Sequence, residues 1–356
     1  MNLKMMPFRK YSARSLIFIT AILVLAGCAS VTERLATTPA KEKVVEHNLI
    51  SGREGSNGPV LAVKIDDTAQ AHPQIGIDQA DVVYIEQVEG GLTRLAAVFS
   101  SIIPIRIGPV RSARISDINL LAQYGHVAFA YSGAQQKLLP VIAAANLENL
   151  GAQRESPLIY TRDPARIAPV DMVLRADLLM AKLIEQNVSI TPARSPGWYF
   201  GSAPIGGKSI ISATMKWPAS FYSATWSAGQ SRWLMSHAGN PDFAESGKQL
   251  GPTTLVIQMV SITPSEYHDK FGGVTPFSAT VGQGIGYILR DGKVFKAQWQ
   301  RLDAASGTRW TLADGTSVAF APGQIWVALT DSAPEFTLPI ASAGPTIASA
   351  TPTPTK

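Results

Sequence analysis

The first folded region of the chain, residues 59–190, mixes short apolar runs with stretches that carry helix signals. The apolar runs are rich in Val, Ile, Tyr and Phe, which suit strands, and Gly, Pro or Asp bound them. A helix capped by Ser112 or Ser116 and ended by Gly125 is predicted among them. Predicted strands lie at 60–65, 81–89, 92–99 and 127–131, and further predicted helices at 135–145 and 172–186.

The second region, residues 198–331, contains short apolar runs that are separated by Gly, Pro and Asp-Gly turns. Asp291-Gly292 and Asp314-Gly315 each stand between two such runs, and Asp-Gly is a strong hairpin signal. The pattern predicts a mostly antiparallel β domain. The two regions together predict an α+β protein, in which a mixed α/β N-terminal domain precedes a β-rich C-terminal domain.

The N-terminal end has the layout of an export signal. Four basic residues precede an uncharged apolar run, residues 15–26, which is too short for a comfortable membrane span. The run ends in Leu25-Ala26-Gly27-Cys28, which resembles the lipobox of bacterial lipoproteins. That resemblance implies a signal peptide at 1–27, a lipid on Cys28, and a protein anchored to the cell membrane on its extracytoplasmic face. The alternative is an ordinary signal peptide with a cysteine nearby.

Composition narrows the chemistry of the part that follows Cys28. This is the single cysteine of 356 residues, so an internal disulfide, a cysteine zinc site and a thiol nucleophile are excluded from the folded regions. Residues 28–58 are polar and predict a flexible tether, and residues 332–356, rich in Ala, Ser, Thr and Pro, predict a disordered tail. The formal charge of +5 falls to about +1 without the leader, so no nucleic-acid partner is predicted.

No cofactor and no metal ion are predicted from motifs. The chain has no P-loop, and Gly282-Gln-Gly284-Ile-Gly286 is followed by no helix pattern, so a dinucleotide loop is rejected. Its histidines lack the spacing of a zinc site, and a structural or surface role is the default for those beyond the tether. The five histidines are His47, His72, His126, His237 and His268.

Gly90-Gly91 predicts a hairpin between two of the strands. A two-residue loop would place Gln87 opposite Arg94 and make Glu89 and Arg94 diagonal neighbours on one face of the sheet. Glu86 would lie on the other face. The default interpretation of Glu89 and Arg94 is a structural ion pair.

Arg111 and Arg114 lie at the start of a predicted helix, where the helix dipole disfavours cations. A negatively charged group is therefore expected between the two arginines. One alternative is an external phosphate or carboxylate bound by the guanidinium groups and backbone N–H groups. The other is an internal carboxylate, from the set Asp66, Asp67, Glu86 and Asp117.

Asp66 and Asp67 end a predicted buried strand and have three interpretations. They could pair with the arginines, they could bind Mg²⁺ or Ca²⁺ together with Glu86 or Glu89, or one of them could act as a general acid or base. The candidate ligand-binding residues predicted from the sequence are Arg94, Arg111, Arg114, Asp66, Asp67 and Glu89.

Four sequence blocks occur in the order that is typical of one family. They are Val63–Asp67, Pro73–Tyr84, Val88–Arg94 and Gly108–Arg114, and a later stretch from Gly286 to Trp326 follows them. These blocks resemble the YerB-type lipoprotein family. The resemblance implies an envelope lipoprotein with two domains of unknown function. One departure is Val170, where the family often has histidine, so a catalytic role for that histidine does not carry over.

Three functional hypotheses remain. The leading one is a non-catalytic binding or assembly factor for an anionic envelope ligand, such as a cell-wall polymer or its lipid-linked precursor. The second is an enzyme acting on such a polymer, with Asp66 or Asp67 as acid/base or metal ligand and the arginines as phosphate clamps. The third is a scaffold that contacts an envelope protein through the β-rich region.

Overall fold

The structure is a computed structural model that describes residues 45–340, and strands dominate it. Three short helices occur, α1 (Ile115–Ala122), α2 (Leu139–Ala144) and α3 (Ala176–Glu185). The first eight strands are β1 (Leu61–Asp66), β2 (Val82–Gln87), β3 (Thr93–Phe99), β4 (Arg106–Ile107), β5 (Val127–Tyr131), β6 (Leu147–Gly151), β7 (Tyr160–Arg162) and β8 (Met172–Arg175).

The second half of the described chain contributes only strands. They are β9 (Lys208–Ser209), β10 (Ser212–Trp217), β11 (Ser220–Ser227), β12 (Arg232–His237), β13 (Asn240–Pro241), β14 (Thr254–Met259), β15 (Ile262–His268), β16 (Val274–Ser278), β17 (Gly282–Arg290), β18 (Lys293–Arg301), β19 (Arg309–Thr311), β20 (Ile325–Thr330) and β21 (Glu335–Thr337).

One large sheet joins the two sequence regions. Its strand order is β19-β18-β17-β14-β20-β2-β3-β1-β5-β6, with β9 added beside β18. The join is the parallel pair β2–β20, in which Val82 lies opposite Ile325 and Ile85 opposite Ala328. Strand β20 is also parallel to β14, so a strand from near the end of the chain is buried in the middle of the sheet.

Both faces of the large sheet are covered, as expected for a sheet whose central strands are apolar throughout. On one face, alternate residues of β1 such as Val63 and Ile65 pack with α3 and with the smaller sheet β13-β12-β11-β10-β21. On the other face, Ala62 packs with α1, α2 and tryptophan residues of β18 and β19. The hairpin β15–β16 and the small sheet β4-β8-β7 complete the fold.

The prediction of strands from apolar runs is confirmed at 127–131, and the other three N-terminal strands lie within two residues of their predicted bounds. The predicted helix at 172–186 is wrong in its first turn, which forms β8. Leu174 there pairs with both Tyr160 and Ile107, and this sheet pairing outweighs local helix preference. Because helix is scarce, the α+β fold class is supported only in part.

The predicted caps of α1 are also wrong. Neither Ser112 nor Ser116 caps the helix; Arg114 is the N-cap residue, and its backbone N–H donates to the carboxylate of Asp117 at 2.6 Å. The expected serine cap is thus absent. Asp117, at the third position of the helix, instead accepts a hydrogen bond from the N-cap backbone N–H. Ser116 instead accepts a hydrogen bond from the backbone N–H of Ser278 in β16.

The register of the β2–β3 hairpin differs from the prediction by one residue. Gln87 lies opposite Thr93, and Glu86 lies opposite Arg94. The loop is a three-residue 3₁₀ turn at Glu89–Gly91, in which Gly90 and Gly91 adopt φ of 69° and 74°. Because a one-residue shift in register moves side chains to the other face, Glu86 lies on the same face of the sheet as Arg94, not on the other face as predicted.

The predicted flanks need correction where the structure describes them. Residues 47–58 were predicted as part of a flexible tether, but Ile50 is fully buried and Ser51 donates to the buried Asp81 at 2.5 Å. Residues Glu335–Thr337, predicted as tail, pair with β10. The predicted signal peptide, Cys28 and the end of the tail lie outside residues 45–340. No helix within that range is long and apolar enough to span a bilayer.

The shared sheet predicts that the N-terminal region does not fold alone. A fragment of residues 45–196 lacks β20, so β2 becomes an edge with apolar side chains such as Val83 exposed on it. We expect this fragment to show no cooperative thermal transition by circular dichroism, whereas residues 45–340 melt cooperatively. A sharp transition in the fragment would contradict the prediction.

Candidate functional site

The end of β1 places two carboxylates on opposite faces of the sheet. Asp66 projects from the same face of the sheet as Ala62 and Lys64, because side chains alternate along a strand. It lies opposite Arg94 across the β1–β3 pair. Asp67 comes next and points to the other face, where it contacts Tyr222 of the smaller sheet. Side chains alternate with a period of two along a strand, so the two neighbours serve two separate sites.

On the first face, Asp66 and Glu89 each bind an arginine; we call Arg94, Arg111, Arg114, Asp66 and Glu89 the arginine cluster. The Arg111 Nε lies 2.6 Å from the Asp66 carboxylate. The Arg114 guanidinium contacts both oxygens of Glu89, at 2.6 and 2.7 Å. Arg111 and Arg114 therefore have internal partners. Asp66 belongs to the set of carboxylates predicted for this role, whereas Glu89, the partner of Arg114, does not.

Backbone pairing positions these arginines. Val110 bridges to Ile65 at the end of β1, and the backbone N–H of Arg111 donates to the Lys64 carbonyl at 2.8 Å. Arg111 therefore lies against the end of β1. Arg114 is the N-cap of α1 and lies beside Glu89 in the β2–β3 turn. Thr275 of the β15–β16 hairpin donates a hydrogen bond to Glu89 and holds it in place.

Arg94 differs from the other two arginines. Within residues 45–340 no carboxylate lies within ion-pair distance of its guanidinium, and the predicted pair with Glu89 is wrong because Glu89 binds Arg114. The Nη1 atoms of Arg94 and Arg114 both lie 3.4 Å from the carbonyl oxygen of Ser112. Burial lowers the pKa of Arg94, and the charges of Arg114 and Arg111 lower it further, to about 9.

A buried ion network lies beneath the arginine cluster. The Lys64 Nζ lies 2.7 Å from Glu86 and 2.7 Å from Asp117, which ties α1 to the sheet. Burial and the charge of Asp117 raise the pKa of Glu86 to about 8, and Lys64 opposes the rise. With Glu86 protonated at neutral pH, the cluster and the network together carry one positive charge more than negative charges. Arg94 is the cation of this set that pairs with no carboxylate of residues 45–340.

On the second face, Asp67 lies at the base of a cleft between the loop after β1 and the smaller sheet. Thr93 and Tyr222 each donate a hydrogen bond to its carboxylate at 2.5 Å. The cleft has a volume of about 550 Å³ above Asp67, Thr93 and Ser220, and an adjoining pocket of about 320 Å³ lies beside His72 and Asp242. His237 lines both, and we call the whole space the histidine cleft.

Two histidines stack in this cleft. The rings of His72 and His237 lie 4.6 Å apart between centroids and nearly parallel, at 11°. The Nδ1 atom of His72 lies 2.8 Å from Asp242, and its Nε2 lies 3.4 Å from Asp67. Burial lowers the pKa of His72, but the hydrogen bonds to Asp242 and Asp67 outweigh this effect and raise the pKa to about 10. Burial lowers the pKa of His237.

The structure brings five of the six predicted ligand-binding residues together, and Asp67 is the exception. The proposed Mg²⁺ or Ca²⁺ site of Asp66 with Glu86 or Glu89 does not form in the described chain, because Asp66 and Glu89 bind arginines and Glu86 binds Lys64. Sequence reasoning identified Asp67 as a candidate but missed the rest of the histidine cleft. Its residues come from distant segments, so no local spacing marks them; they are His72, Tyr222, His237 and Asp242.

Comparison with known proteins places this fold in a family. Residues 48–189 match the family described as "Protein of unknown function (DUF3048) N-terminal domain". Residues 213–327 match its partner, "Protein of unknown function (DUF3048) C-terminal domain". The chain belongs to the DUF3048 family. The two matched segments meet in the large sheet, through the β2–β20 pair.

YerB of Bacillus subtilis is a relative of this DUF3048 protein. A segment of 54 residues, 15% of this chain and 16% of that protein, is 44% identical to "Putative lipoprotein YerB" of strain 168. The crystal structure of YerB matches 82% of this chain and 99% of its own chain, with a TM-score of 0.71 and 18% identity. The resemblance to YerB seen in the sequence is confirmed, and the two proteins share a fold.

The buried Glu86 predicts a pH dependence of stability in this DUF3048 protein. The unfolded chain loses the Glu86 proton near the ordinary pKa of 4.5, whereas the folded protein holds it to about pH 8. The free energy of unfolding should therefore fall as the pH rises from about 5 to 8, by at most about 1.4 kcal/mol per pH unit. Glu86→Gln should flatten this fall in urea titrations at several pH values.

The matched control is Glu185→Gln, which removes an exposed carboxyl at the end of α3. It should leave the pH profile of the wild type unchanged. If Glu86→Gln keeps the wild-type slope between pH 5 and 8, the raised pKa of Glu86 is wrong.

Proposed function

We propose that this protein is a lipid-anchored, extracytoplasmic envelope protein that binds an anionic ligand at the arginine cluster. The observation that carries the proposal is Arg94, a half-buried cation beside two further arginines, with no carboxylate within ion-pair distance in the described chain. Burying a cation without a partner costs free energy, and the like charges of Arg111 and Arg114 add to the cost. A bound anion would remove both penalties.

The chemistry of the cluster favours a phosphate or carboxylate group as the ligand. Guanidinium groups bind such anions through parallel N–H donors. Arg111 keeps 26% of its side chain exposed, so the cluster can be reached from solvent even though its Nε contacts Asp66. An anionic cell-wall polymer or its lipid-linked precursor presents these groups close to a membrane, where a lipid anchor would hold the protein.

The geometry favours binding over the enzyme alternative. That alternative needs one carboxylate to act on a phosphate held by the arginines, but Asp66 is bound to Arg111 and to Thr68. Asp67 lies on the opposite face, away from the arginines. A protein partner remains the second candidate, because the exposed Phe271 at the tip of the β15–β16 hairpin offers an apolar contact.

Replacing Arg94 should weaken ligand binding and stabilise the free protein. Arg94→Met keeps much of the side-chain volume and removes the charge that has no partner. We expect binding of inorganic phosphate and of purified anionic wall polymer by the full-length protein in detergent to weaken ~10-fold or more in calorimetric titration. We also expect the ligand-free variant to gain about 1 kcal/mol in stability, because removal of a functional cation relieves strain.

Arg309→Met is the matched control, since Arg309 is exposed on β19 and lies far along the sheet from β3. It should change neither affinity nor stability. Equal binding by wild type and Arg94→Met would overturn the proposed site. Loss of pull-down of an envelope protein by Phe271→Ser, without any anion binding by the wild type, would support the protein-partner alternative instead.

The anchor makes a separate prediction. The leader and Leu25-Ala26-Gly27-Cys28 support lipidation of Cys28, and the relationship to a protein named as a lipoprotein agrees with it. Cys28→Ser should move the protein from the membrane fraction to the soluble fraction of the cell envelope. Mass spectrometry of the N-terminal peptide should detect acyl chains in the wild type and none in the variant; an unmodified Cys28 in the wild type would contradict the prediction.

A further inference from the structure

Three side chains of the kinds that bind transition metals converge at the base of the histidine cleft. Asp67 directly follows β1, His72 lies in the loop between β1 and β2, and His237 ends β12. One ligand atom from each lies within 4.8 Å of the other two. We propose that Asp67, His72 and His237 bind a divalent first-row transition metal ion, with Zn²⁺ as the best-matched ion.

His72 already has the orientation of a metal ligand. Its Nδ1 lies 2.8 Å from the buried carboxylate of Asp242, so Nδ1 carries the proton that it donates to Asp242. In neutral His72 the other nitrogen, Nε2, faces Asp67 with a lone pair, and a bound ion would take the place of the second ring proton. Histidines that bind metals commonly donate their second ring N–H to a carboxylate in this way, which fixes the tautomer and makes the ligand more basic.

Asp67 is held by its own set of outer contacts. Thr93 and Tyr222 donate to its two oxygens, and the amide nitrogen of Gln74 lies 3.4 Å away. Each carboxylate oxygen can accept more than one bond, so these donors orient Asp67 and leave room for an ion. The carboxylate is almost fully buried and faces the cleft.

His237 is positioned by packing rather than by charge. Its ring lies between those of His72 and Tyr222, at centroid distances of 4.6 and 4.8 Å. Its strongest polar contact is a long one, 3.4 Å from Nε2 to the hydroxyl of Ser220. An ion can replace that weak contact at little cost. Zinc bonds of about 2.0–2.2 Å need the ligand atoms to approach by small side-chain rotations.

The ligand set and the access route both suit zinc or a similar ion. Two imidazoles and one carboxylate match Zn²⁺, Fe²⁺ or Co²⁺, whereas Mg²⁺ and Ca²⁺ prefer oxygen ligands alone. Three protein ligands beside an open cleft of about 550 Å³ leave a coordination position for water or a ligand. Such an open position distinguishes the site from a closed structural zinc site with four protein ligands.

A metal-free arrangement explains part of the same geometry. A protonated His72 would form two ion pairs, since its Nδ1 lies 2.8 Å from Asp242 and its Nε2 lies 3.4 Å from Asp67. That arrangement requires nothing of His237, whereas the metal site requires it as the third ligand. Substitution of His237 therefore distinguishes the metal site from the metal-free arrangement. His237→Gln is the chosen variant because glutamine keeps a polar side chain at this position.

The experiment is a titration of the full-length protein in detergent with Zn²⁺, after dialysis against EDTA. We expect one Zn²⁺ per chain in the wild type, at least ~10-fold weaker binding in His237→Gln, and weakening of ~10–100-fold in Asp242→Asn through loss of its support for His72. His268→Gln is the matched control, since His268 is exposed on β15, and it should bind as the wild type does.

Two further measurements keep the test valid if a variant unfolds. Stoichiometric Co²⁺ added to the wild type should give visible ligand-field absorption bands, and Zn²⁺ should raise the melting temperature of the wild type but not of His237→Gln. Equal zinc affinity in wild type and folded His237→Gln, or the absence of both cobalt bands and a thermal shift in the wild type, would overturn the proposal in favour of the ion-paired His72.

Discussion

The structure depends on how β1 ends. This strand is buried on both faces between β3 and β5, and it terminates in two consecutive carboxylates that are almost fully buried. A buried carboxylate is stable only with hydrogen-bond donors or cations around it. Because neighbouring side chains project to opposite faces, each of Asp66 and Asp67 requires its own set of partners. The arginine cluster and the histidine cleft are those two sets.

The first set contains more cations than Asp66 and Glu89 require. Two carboxylates bind two arginines, and the buried Lys64 is shared between Glu86 and Asp117. Arg94 is then surplus to internal pairing, although β3 could have carried an apolar residue there. A protein selected for stability alone has no reason to retain a cation whose pKa is lowered by burial and by repulsion from Arg114 and Arg111. A ligand-binding role explains why Arg94 is retained. The cation destabilises the free protein, and a bound anion would offset that loss of stability.

The sequence predicted those parts of the fold that depend on local pattern. Apolar runs located β1, β2, β3 and β5, four of the eight strands of the N-terminal region. The unusual position of two arginines at a helix start correctly required carboxylates nearby. The hairpin register was wrong because the Gly-Gly pair was assigned a two-residue loop, whereas Glu89 joins the turn. That single residue decides which face Glu86 occupies. A pattern of alternation alone does not determine loop length.

The histidine cleft was beyond sequence reasoning for a different physical reason. His72 and His237 belong to segments that meet only because β20 inserts beside β2 and brings the smaller sheet against β1. The same parallel pair, which no hairpin signal marks, joined two regions that looked like separate domains. Long-range parallel pairing leaves no local trace, so sites that depend on it are seen only in the folded chain.

The two sites are physically separable although their residues are adjacent in sequence. Thr93 supports Asp67 on one face, and Arg94 belongs to the cluster on the other, so β3 contributes alternate side chains to each. Substitutions at Arg94 and His237 share no side-chain partner, and their effects on stability should add. Anion binding and metal binding can therefore succeed or fail independently, and neither result would determine the other.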